Sequence, residues 1–212
     1  MHVAILLYPG CIFFEIALAA ETLAGRCTLS YYTPDGEPHH ASNGATLAPA
    51  GDLSALKSAS LQAVLVPGGD PRSLMLPVPR ASEPLRAQAA AGALVAGICA
   101  GNLVMAGAGL LVGRRGTHNY TAEHAPAEKI AATRHFWDGM QFVRADLVQD
   151  GPLITAQPWA YRQYAAAVAR TLGVLDEREA RDLETYVARR SYGEPFGSPR
   201  IPAPSVNGEA VR

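Results

Sequence analysis

Residues 93–109, ALVAGICAGNLVMAGAG, decide the fold of this 212-residue chain. Residues 93–98 form a short apolar run that predicts a buried strand, and the apolar residues after Cys99 predict a helix. Small residues on both sides of Cys99 allow the chain to turn sharply from strand to helix, which strains the backbone of the turn residue. The stretch therefore predicts a nucleophile elbow, with Cys99 at the position that serine takes in hydrolases.

Two interpretations of Cys99 are open. The residue lies at the N-terminus of the predicted helix, where unpaired backbone N–H groups and the helix dipole favour a thiolate. The alternative is a buried structural cysteine, because free cysteine is among the most buried residue types. The strand–turn–helix pattern favours the reactive thiol.

The composition is that of an ordinary globular protein, with 49% hydrophobic residues and a formal net charge of -1. It offers no basic excess that would bind nucleic acid or a membrane surface. The first residues lack the basic region and cleavage site of a signal peptide, and no apolar run is long enough to span a bilayer. The 3 cysteines are widely spaced and odd in number, which does not indicate a disulfide framework. We therefore expect a cytoplasmic protein.

Apolar runs alternate with helical patterns along the chain. The predicted strands are residues 2–7, 27–33, 61–66, 93–98, 140–148 and 153–156. The predicted helices include residues 13–23, 82–91, 123–132, 161–172 and 176–190, with a small hairpin at 39–47 and an irregular loop at 71–79. This alternation predicts an α/β fold whose mostly parallel sheet carries helices on both faces. We expect one domain over residues 1–190 and a flexible tail rich in Gly and Pro over residues 191–212.

Two segments lie where such a sheet places its functional sites. Glu15 is in the first turn of the first predicted helix, soon after the first strand, and Gly68 and Gly69 directly follow a buried strand. The carboxyl ends of parallel strands form the binding crevice of open α/β sheets. Glu15 is therefore either a solvated carboxylate favoured by the helix dipole or a carboxylate that faces a site, and its position alone does not separate the two.

Motifs along residues 2–175 resemble the ThiJ/PfpI superfamily, which belongs to the class I glutamine-amidotransferase-like fold. The motifs, in order, are Tyr8-Pro9-Gly10, Phe14-Glu15, Val66-Pro67-Gly68-Gly69, Gly97-Ile98-Cys99-Ala100-Gly101, Gly109-Leu110-Leu111 and Thr117-His118. The resemblance implies a flavodoxin-like three-layer sandwich and a homodimer, with no cofactor. No metal site is expected either, because the adjacent His39 and His40 would point to opposite faces of a strand.

The resemblance also implies a set of site residues. Cys99 is the reactive cysteine and Glu15 a protonated glutamate beside it. A carboxylic acid that donates a hydrogen bond to a thiolate lowers the pKa of the thiol while its own pKa rises, so the two groups titrate as a pair. Backbone N–H groups of Gly69 and Ala100 are the implied oxyanion donors. Cys11, which follows the first strand, is a candidate resolving cysteine for Cys99.

The histidine of the site has two candidate positions. Members with glyoxalase or deglycase activity carry a Thr-Thr-His stretch after the elbow helix, whereas this chain has Gly116-Thr117-His118-Asn119, one residue shorter. We expect His118 to be the acid–base group. The alternative is that Asn119 takes this position, and His124 is then the next candidate for the acid–base group.

Two related activities are disfavoured by the residues present. The proteolytic branch has a histidine directly after the elbow cysteine, where this chain has Ala100. Glutamine amidotransferases use a late His-x-Glu pair, and none of the later histidines is followed by glutamate two residues on.

Three functional hypotheses follow. The first is an enzyme in which Cys99 adds to a small electrophile, either a reactive aldehyde such as methylglyoxal or an isocyanide. The second is a non-enzymatic redox- or ligand-sensing module of a stress response, in which Cys99 is oxidised. The third is a drifted enzyme whose aromatic residues line a pocket, the candidates being Tyr120, Trp137, Trp159 and Tyr161.

Overall fold

The structure of the chain is a computed structural model that describes residues 1–185. Its strands are β1 (His2–Leu6), β2 (Thr28–Tyr32), β3 (His39–His40), β4 (Thr46–Leu47), β5 (Ala63–Val66), β6 (Leu94–Ile98), β7 (Arg115–Gly116), β8 (Gln141–Phe142), β9 (Leu147–Asp150) and β10 (Leu153–Ala156). Its helices are α1 (Phe14–Leu23), α2 (Leu53–Ser58), α3 (Arg72–Met75), α4 (Ser82–Ala90), α5 (Gly101–Gly107), α6 (Ala127–Thr133), α7 (Tyr161–Thr171) and α8 (Glu177–Thr185), with a 3₁₀ helix over Arg134–Trp137.

Six strands form the central sheet in the order β2-β1-β5-β6-β10-β9. All neighbours pair in parallel except β9, which pairs antiparallel with β10. Every residue of β5 and β6 is buried, as expected for central strands that are covered on both faces. On one side α1 packs against α7 and α7 against α8, whereas α2, α4 and α5 form a second helical layer. The expected mostly parallel α/β sandwich is confirmed.

The topology reverses at β1, and this reversal positions the site. The chain passes from β1 to β2 at the edge and then to β5 on the other side of β1. In open α/β sheets, the crevice at such a switch point is the usual place for a ligand. The register aligns the strand ends there, since Ile5 pairs with Leu65 and Val66 pairs with Gly97. The segments that follow β1, β5 and β6 therefore leave the sheet side by side.

Several predicted elements differ from the structure. The predicted strand 140–148 is wrong as one element, because β8 ends at Phe142 and pairs with β7 in a separate two-stranded sheet, while β9 begins at Leu147. The predicted helix 123–132 begins only at Ala127, after Pro126, whose φ of -66° and ψ of 151° are extended. The loop 71–79 contains α3, whereas the hairpins at 39–47 and around Gly151 are present.

Two predictions reach beyond the described residues. The tail at residues 191–212 and the last part of the predicted helix 176–190 lie outside them. Within residues 1–185, no helix has the length and apolar character needed to cross a membrane.

Gln88 connects two helices of the second helical layer through buried hydrogen bonds. Its side chain is buried, and its Nε2 donates to the backbone carbonyls of Leu56 and Ala59 at 2.7 and 2.8 Å. These carbonyls end α2, where the last C=O groups of a helix have no partner within the helix itself. Gln88 therefore links α4 to the end of α2.

We predict that Gln88→Met lowers the free energy of unfolding by about 1–3 kcal/mol, because the volume is kept while buried carbonyls lose their donor. Urea unfolding followed by circular dichroism measures the change. Ala90→Met, at an exposed position of the same helix, is the matched control and should stay within about 0.5 kcal/mol of the wild type. A Gln88→Met variant as stable as this control would contradict the role of Gln88.

Candidate active site at the ends of three strands

Cys99 occupies a strained turn between β6 and α5. Its φ of 56° is in the left-handed region, and no other non-glycine residue among residues 1–185 has a positive φ. The N–H of Cys99 donates to the carbonyl of Ala156 at 2.9 Å, and Asn102 Nδ2 donates to the same oxygen at 2.8 Å. The elbow predicted from the sequence is therefore present, and two hydrogen bonds tie it to the end of β10.

Glycines allow the elbow to approach β5. A Cβ atom on Gly101 would lie 2.1 Å from the carbonyl oxygen of Val66, and one on Gly97 would lie 2.6 Å from Met105 Sδ. Neither position has room for a side chain. The small residues around Cys99 are thus explained by backbone packing as well as by the turn itself.

Glu15 faces inward and contacts Cys99. Its side chain is buried, its Oε2 accepts a hydrogen bond of 2.8 Å from the N–H of Gly68, and it is hydrogen-bonded to the Cys99 thiol. A Cβ atom on Gly68 would lie 2.4 Å from Glu15 Oε2 and 2.7 Å from Cys99 Sγ. Only glycine at position 68 leaves space for this contact. Of the two interpretations of Glu15, the structure supports the carboxyl group that faces the site.

Burial governs the protonation of this pair. It raises the pKa of Glu15 to about 7, although the hydrogen bonds from Gly68 and Cys99 act to lower it. Burial and the Glu15 carboxylate raise the pKa of the Cys99 thiol as well, against the lowering effect of nearby N–H groups. This direction is opposite to the one expected from the helix N-terminus, because desolvation outweighs the N–H groups. Above pH 7 the two groups therefore share one proton.

The N–H groups of Ala100 and Gly69 are hydrogen-bonded to the sulfur of Cys99, where they favour negative charge. These are the two residues that the resemblance implied as oxyanion donors. The structure places their N–H groups at the Cys99 sulfur, and their action on a substrate oxygen stays a prediction.

Cys11 lies on the other side of the glycine turn. It is buried, forms an isolated bridge with Gly69, and would contact a Cβ atom on Gly69 through its Cα at 2.7 Å. Gly68, by contrast, contacts Cys99. Burial raises the pKa of the Cys11 thiol, and all 3 cysteines are free. A resolving disulfide between Cys11 and Cys99 stays a prediction.

His118 lies in an aromatic cluster. Its ring stacks on Trp137 with centroids 4.1 Å apart and contacts Phe142 at 4.8 Å, and its Nδ1 accepts the N–H of Tyr120 at 3.1 Å. Burial alone lowers its pKa to about 4, so the ring is neutral at pH 7. His118 does not contribute to the pKa shift of Cys99 or Glu15, and neither of them contributes to the shift of His118. Its role as a proton shuttle stays a prediction, as does that of Asn119, whose buried Oδ1 has no donor in the described part of the chain.

Two tyrosines near the site received little weight from the sequence. Tyr8 is buried and its hydroxyl donates to the carbonyl of Pro67 at 2.7 Å, which holds the residue before the glycine turn. Burial is the main cause that raises the pKa of Tyr120, and the negative charge of Cys99 adds to it, which places the phenol close to the thiol. The Tyr8-Pro9-Gly10 motif, soon after β1, is a sequence signal that could have identified Tyr8.

The four aromatic residues of the third hypothesis do not line one pocket. Tyr120 packs against Trp137 at 5.4 Å, Tyr161 packs against Phe14 at 4.9 Å, and Trp159 lines a separate pocket. The described residues also contain no group of three histidine, cysteine or acidic side chains that could hold a metal ion.

The shared proton predicts how Cys99 reacts with iodoacetamide as the pH changes. In the wild type, Glu15 loses its proton first, near pH 7, and its carboxylate then keeps the Cys99 thiol protonated, so alkylation should rise only at alkaline pH. In Glu15→Gln this carboxylate is absent, so the pKa of the thiol should fall and the rise should move to a lower pH. Mass spectrometry of the Cys99 peptide measures both profiles, and the Cys27 peptide of the same digest is the internal control. Identical Cys99 profiles in the two proteins would contradict the coupling.

Comparisons with known proteins agree with the fold and the motif order. The model of the DJ-1/PfpI family matches residues 1–170. The glutathione-independent glyoxalase DJR-1.2 of Caenorhabditis elegans is 26% identical over 160 residues, which cover 74% of this chain and 81% of the relative. The structure of the DJ-1 superfamily protein Atu0886 from Agrobacterium tumefaciens is similar with a TM-score of 0.75 and 23% identity, covering 89% of this chain and 98% of the other. Drosophila melanogaster DJ-1beta is similar with a TM-score of 0.70 and 22% identity, covering 88% and 97%. The chain belongs to the DJ-1/PfpI family.

Proposed function

We propose that the chain is a cofactor-independent enzyme that uses Cys99 as a nucleophile toward small reactive aldehydes. The observation that carries this proposal is the contact between Cys99, held in a strained elbow, and Glu15, whose pKa is about 7. A general acid–base group works best when its pKa lies near the operating pH. The similarity to a glutathione-independent glyoxalase supports the same reaction class.

The first step is addition of Cys99 to the aldehyde carbon of a 2-oxoaldehyde such as methylglyoxal. The Glu15 carboxylate takes the proton of the Cys99 thiol, the Sγ–C bond forms, the carbonyl π-electrons move to oxygen, and Glu15 passes the same proton to that oxygen, which becomes a hydroxyl group. The product is a hemithioacetal. The N–H groups of Gly69 and Ala100 are the donors proposed to stabilise the developing oxyanion.

The second step moves a proton between the two carbons of the bound substrate. The Glu15 carboxylate takes the proton from the carbon that carries the sulfur, which gives an enediolate, and returns it to the neighbouring carbon, while the hydroxyl proton of the sulfur-bearing carbon moves to the oxygen of that neighbour. The result is a thioester of a 2-hydroxy acid. Water hydrolyses the thioester to the free acid and regenerates the Cys99 thiol. The sequence consumes one water and needs no external oxidant or reductant.

Isocyanide hydration is a close variant of this proposal. The same sulfur would attack the isocyanide carbon, and the stretches at residues 109–115 and 150–155 are similar to those of that branch. That branch tends to carry aspartate at the position of Glu15, so the longer glutamate favours the aldehyde substrate.

A sensor is the competing proposal. In a redox- or ligand-sensing stress-response module, Cys99 would be oxidised to the sulfinic acid, a reaction that requires thiolate. The burial of Cys99 and its raised pKa disfavour spontaneous oxidation of the resting protein, whereas in the enzyme the Glu15 carboxylate generates the thiolate by taking the thiol proton. The homodimer implied by the resemblance and the cytoplasmic location expected from the composition are compatible with either proposal.

We predict turnover of methylglyoxal to lactate by the wild type, and a loss of all measurable turnover in Cys99→Ser. Glu15→Gln should reduce kcat by about 10²–10⁴-fold, because the amide neither takes nor gives the proton. Coupled detection of lactate measures both.

Two further variants make the result specific. Cys27→Ser changes a cysteine remote from the elbow and should keep wild-type turnover. His118→Asn tests the shuttle, since unchanged kcat would remove His118 from the mechanism. Turnover that survives in Cys99→Ser would contradict the proposal, and a reactive Cys99 without turnover would favour the sensor.

A further inference from the structure

A pocket lies at the same edge of the sheet as Cys99. Its volume is about 120 Å³, and it is formed by segments around residues 118–124, 142–146 and 157–159. Cys99 and Glu15 are not among the residues that line it. It is nevertheless a neighbour of the elbow, because its residue Gln157 directly follows Ala156, which accepts the N–H of Cys99. The proposed aldehyde chemistry makes no use of this pocket.

Gln157 lines the pocket and carries an unpaired buried acceptor. The side chain is 5% exposed, and its Nε2 donates to Thr117 Oγ1 at 2.8 Å and to the carbonyl of His118 at 3.0 Å. These bonds fix which end of the amide is the donor. Its Oε1 is buried and receives no hydrogen bond from residues 1–185. A buried acceptor without a donor is costly, so a ligand that carries N–H or O–H groups would be favoured here.

The charged side chains that line the pocket favour a cationic ligand. Glu123 forms an ion pair with Arg144, so these two charges offset each other. Asp146 Oδ1 accepts the indole N–H of Trp159 at 2.7 Å, and no cationic side chain of the described chain forms an ion pair with Asp146. His118 is neutral, as described above. The lining therefore keeps one carboxylate that is not balanced by a positive charge.

Aromatic rings complete the pocket. Trp159 and Phe142 line it and are 47% and 42% exposed, which is unusual for side chains of this size. The ring of His124 contacts Trp159 edge-on, with centroids 4.9 Å apart. The faces of indole and phenyl rings attract cations through their quadrupoles. An exposed indole held against a carboxylate is a suitable wall for a small organic cation.

We propose that this pocket binds a small organic cation that carries N–H groups, of the class of short primary alkylammonium ions. Its ammonium group would donate to Gln157 Oε1 and Asp146, and its alkyl part would lie against Trp159 and Phe142. A cavity of about 150 Å³ holds one benzene molecule, so a ligand of about three to six heavy atoms matches this volume. His118, the candidate shuttle, lines this pocket, but the proposed ligand contacts use neither Cys99 nor Glu15, so either proposal can fail without the other.

The experiment is a titration of the full chain with ethylammonium chloride at constant ionic strength, followed by ¹H–¹⁵N correlation spectra. We expect saturable shifts of the amides of Ala145, Asp146 and Gln157. Ethanol, which lacks the charge, and tetramethylammonium, which lacks N–H groups, should each bind at least about tenfold more weakly. Equal shifts with either compound, or with sodium chloride alone, would overturn the proposal.

Matched variants test the residues. Asp146→Asn keeps the shape and should weaken ethylammonium binding by about tenfold, whereas Asp138→Asn removes a carboxylate outside the pocket and should leave it unchanged. Trp159→Leu should weaken binding several-fold through loss of the aromatic face. Cys99→Ser should bind as the wild type does. Equal weakening in the two aspartate variants would show non-specific attraction and overturn the site, as would binding that is unchanged in Asp146→Asn.

Discussion

The contact between Glu15 and Cys99 across Gly68 is the constraint on which the candidate active site depends. It brings together segments that follow three neighbouring strands, and it exists because β1, β5 and β6 end in register. The atoms are so close that a Cβ atom on Gly68 would overlap both side chains. At the elbow, Gly97 and Gly101 also leave no room for a Cβ atom. Gly101 lies against the backbone of β5, and Gly97 lies against Met105. The site is therefore a product of backbone packing before any catalytic group is considered.

This packing also determines the electrostatics of the site. A carboxyl and a thiol placed side by side in a buried crevice cannot both ionise at neutral pH, because each charge loses its solvation and the two repel. N–H groups of Gly69 and Ala100 favour charge on the sulfur, but they only partly offset the burial. The pair consequently holds one proton beside the Cys99 sulfur at neutral pH. Addition to a carbonyl requires this combination, since the sulfur must become negative while the oxygen takes up a proton.

The surroundings of Cys99 divide into two chemically different regions. The glycine turn is held from behind by the Tyr8 hydroxyl, and the elbow is held by the carbonyl of Ala156. Beyond Ala156, Gln157 and His118 belong to a pocket with exposed aromatic rings and an unbalanced carboxylate. His118 is close to the elbow in the fold, yet its own contacts are with Trp137, Phe142 and Tyr120. The position of His118 in the sequence therefore does not show whether its side chain belongs to the site around Cys99 or to the pocket beyond Ala156.

Local pattern was enough for much of this molecule. Strand burial and sharp turns impose strict residue requirements on short segments. The sequence therefore predicted the buried strands, the elbow at Cys99 and the glycines after β5. Other features arise only when distant segments meet. The division of residues 140–148 into two strands follows from pairing with β7, and the choice between the two interpretations of Glu15 follows from the N–H of Gly68, 53 positions away. The raised pKa of Cys99 and the location of His118 likewise depend on burial, and burial is a property of the assembled sheet and helices that no neighbouring residues in the chain encode.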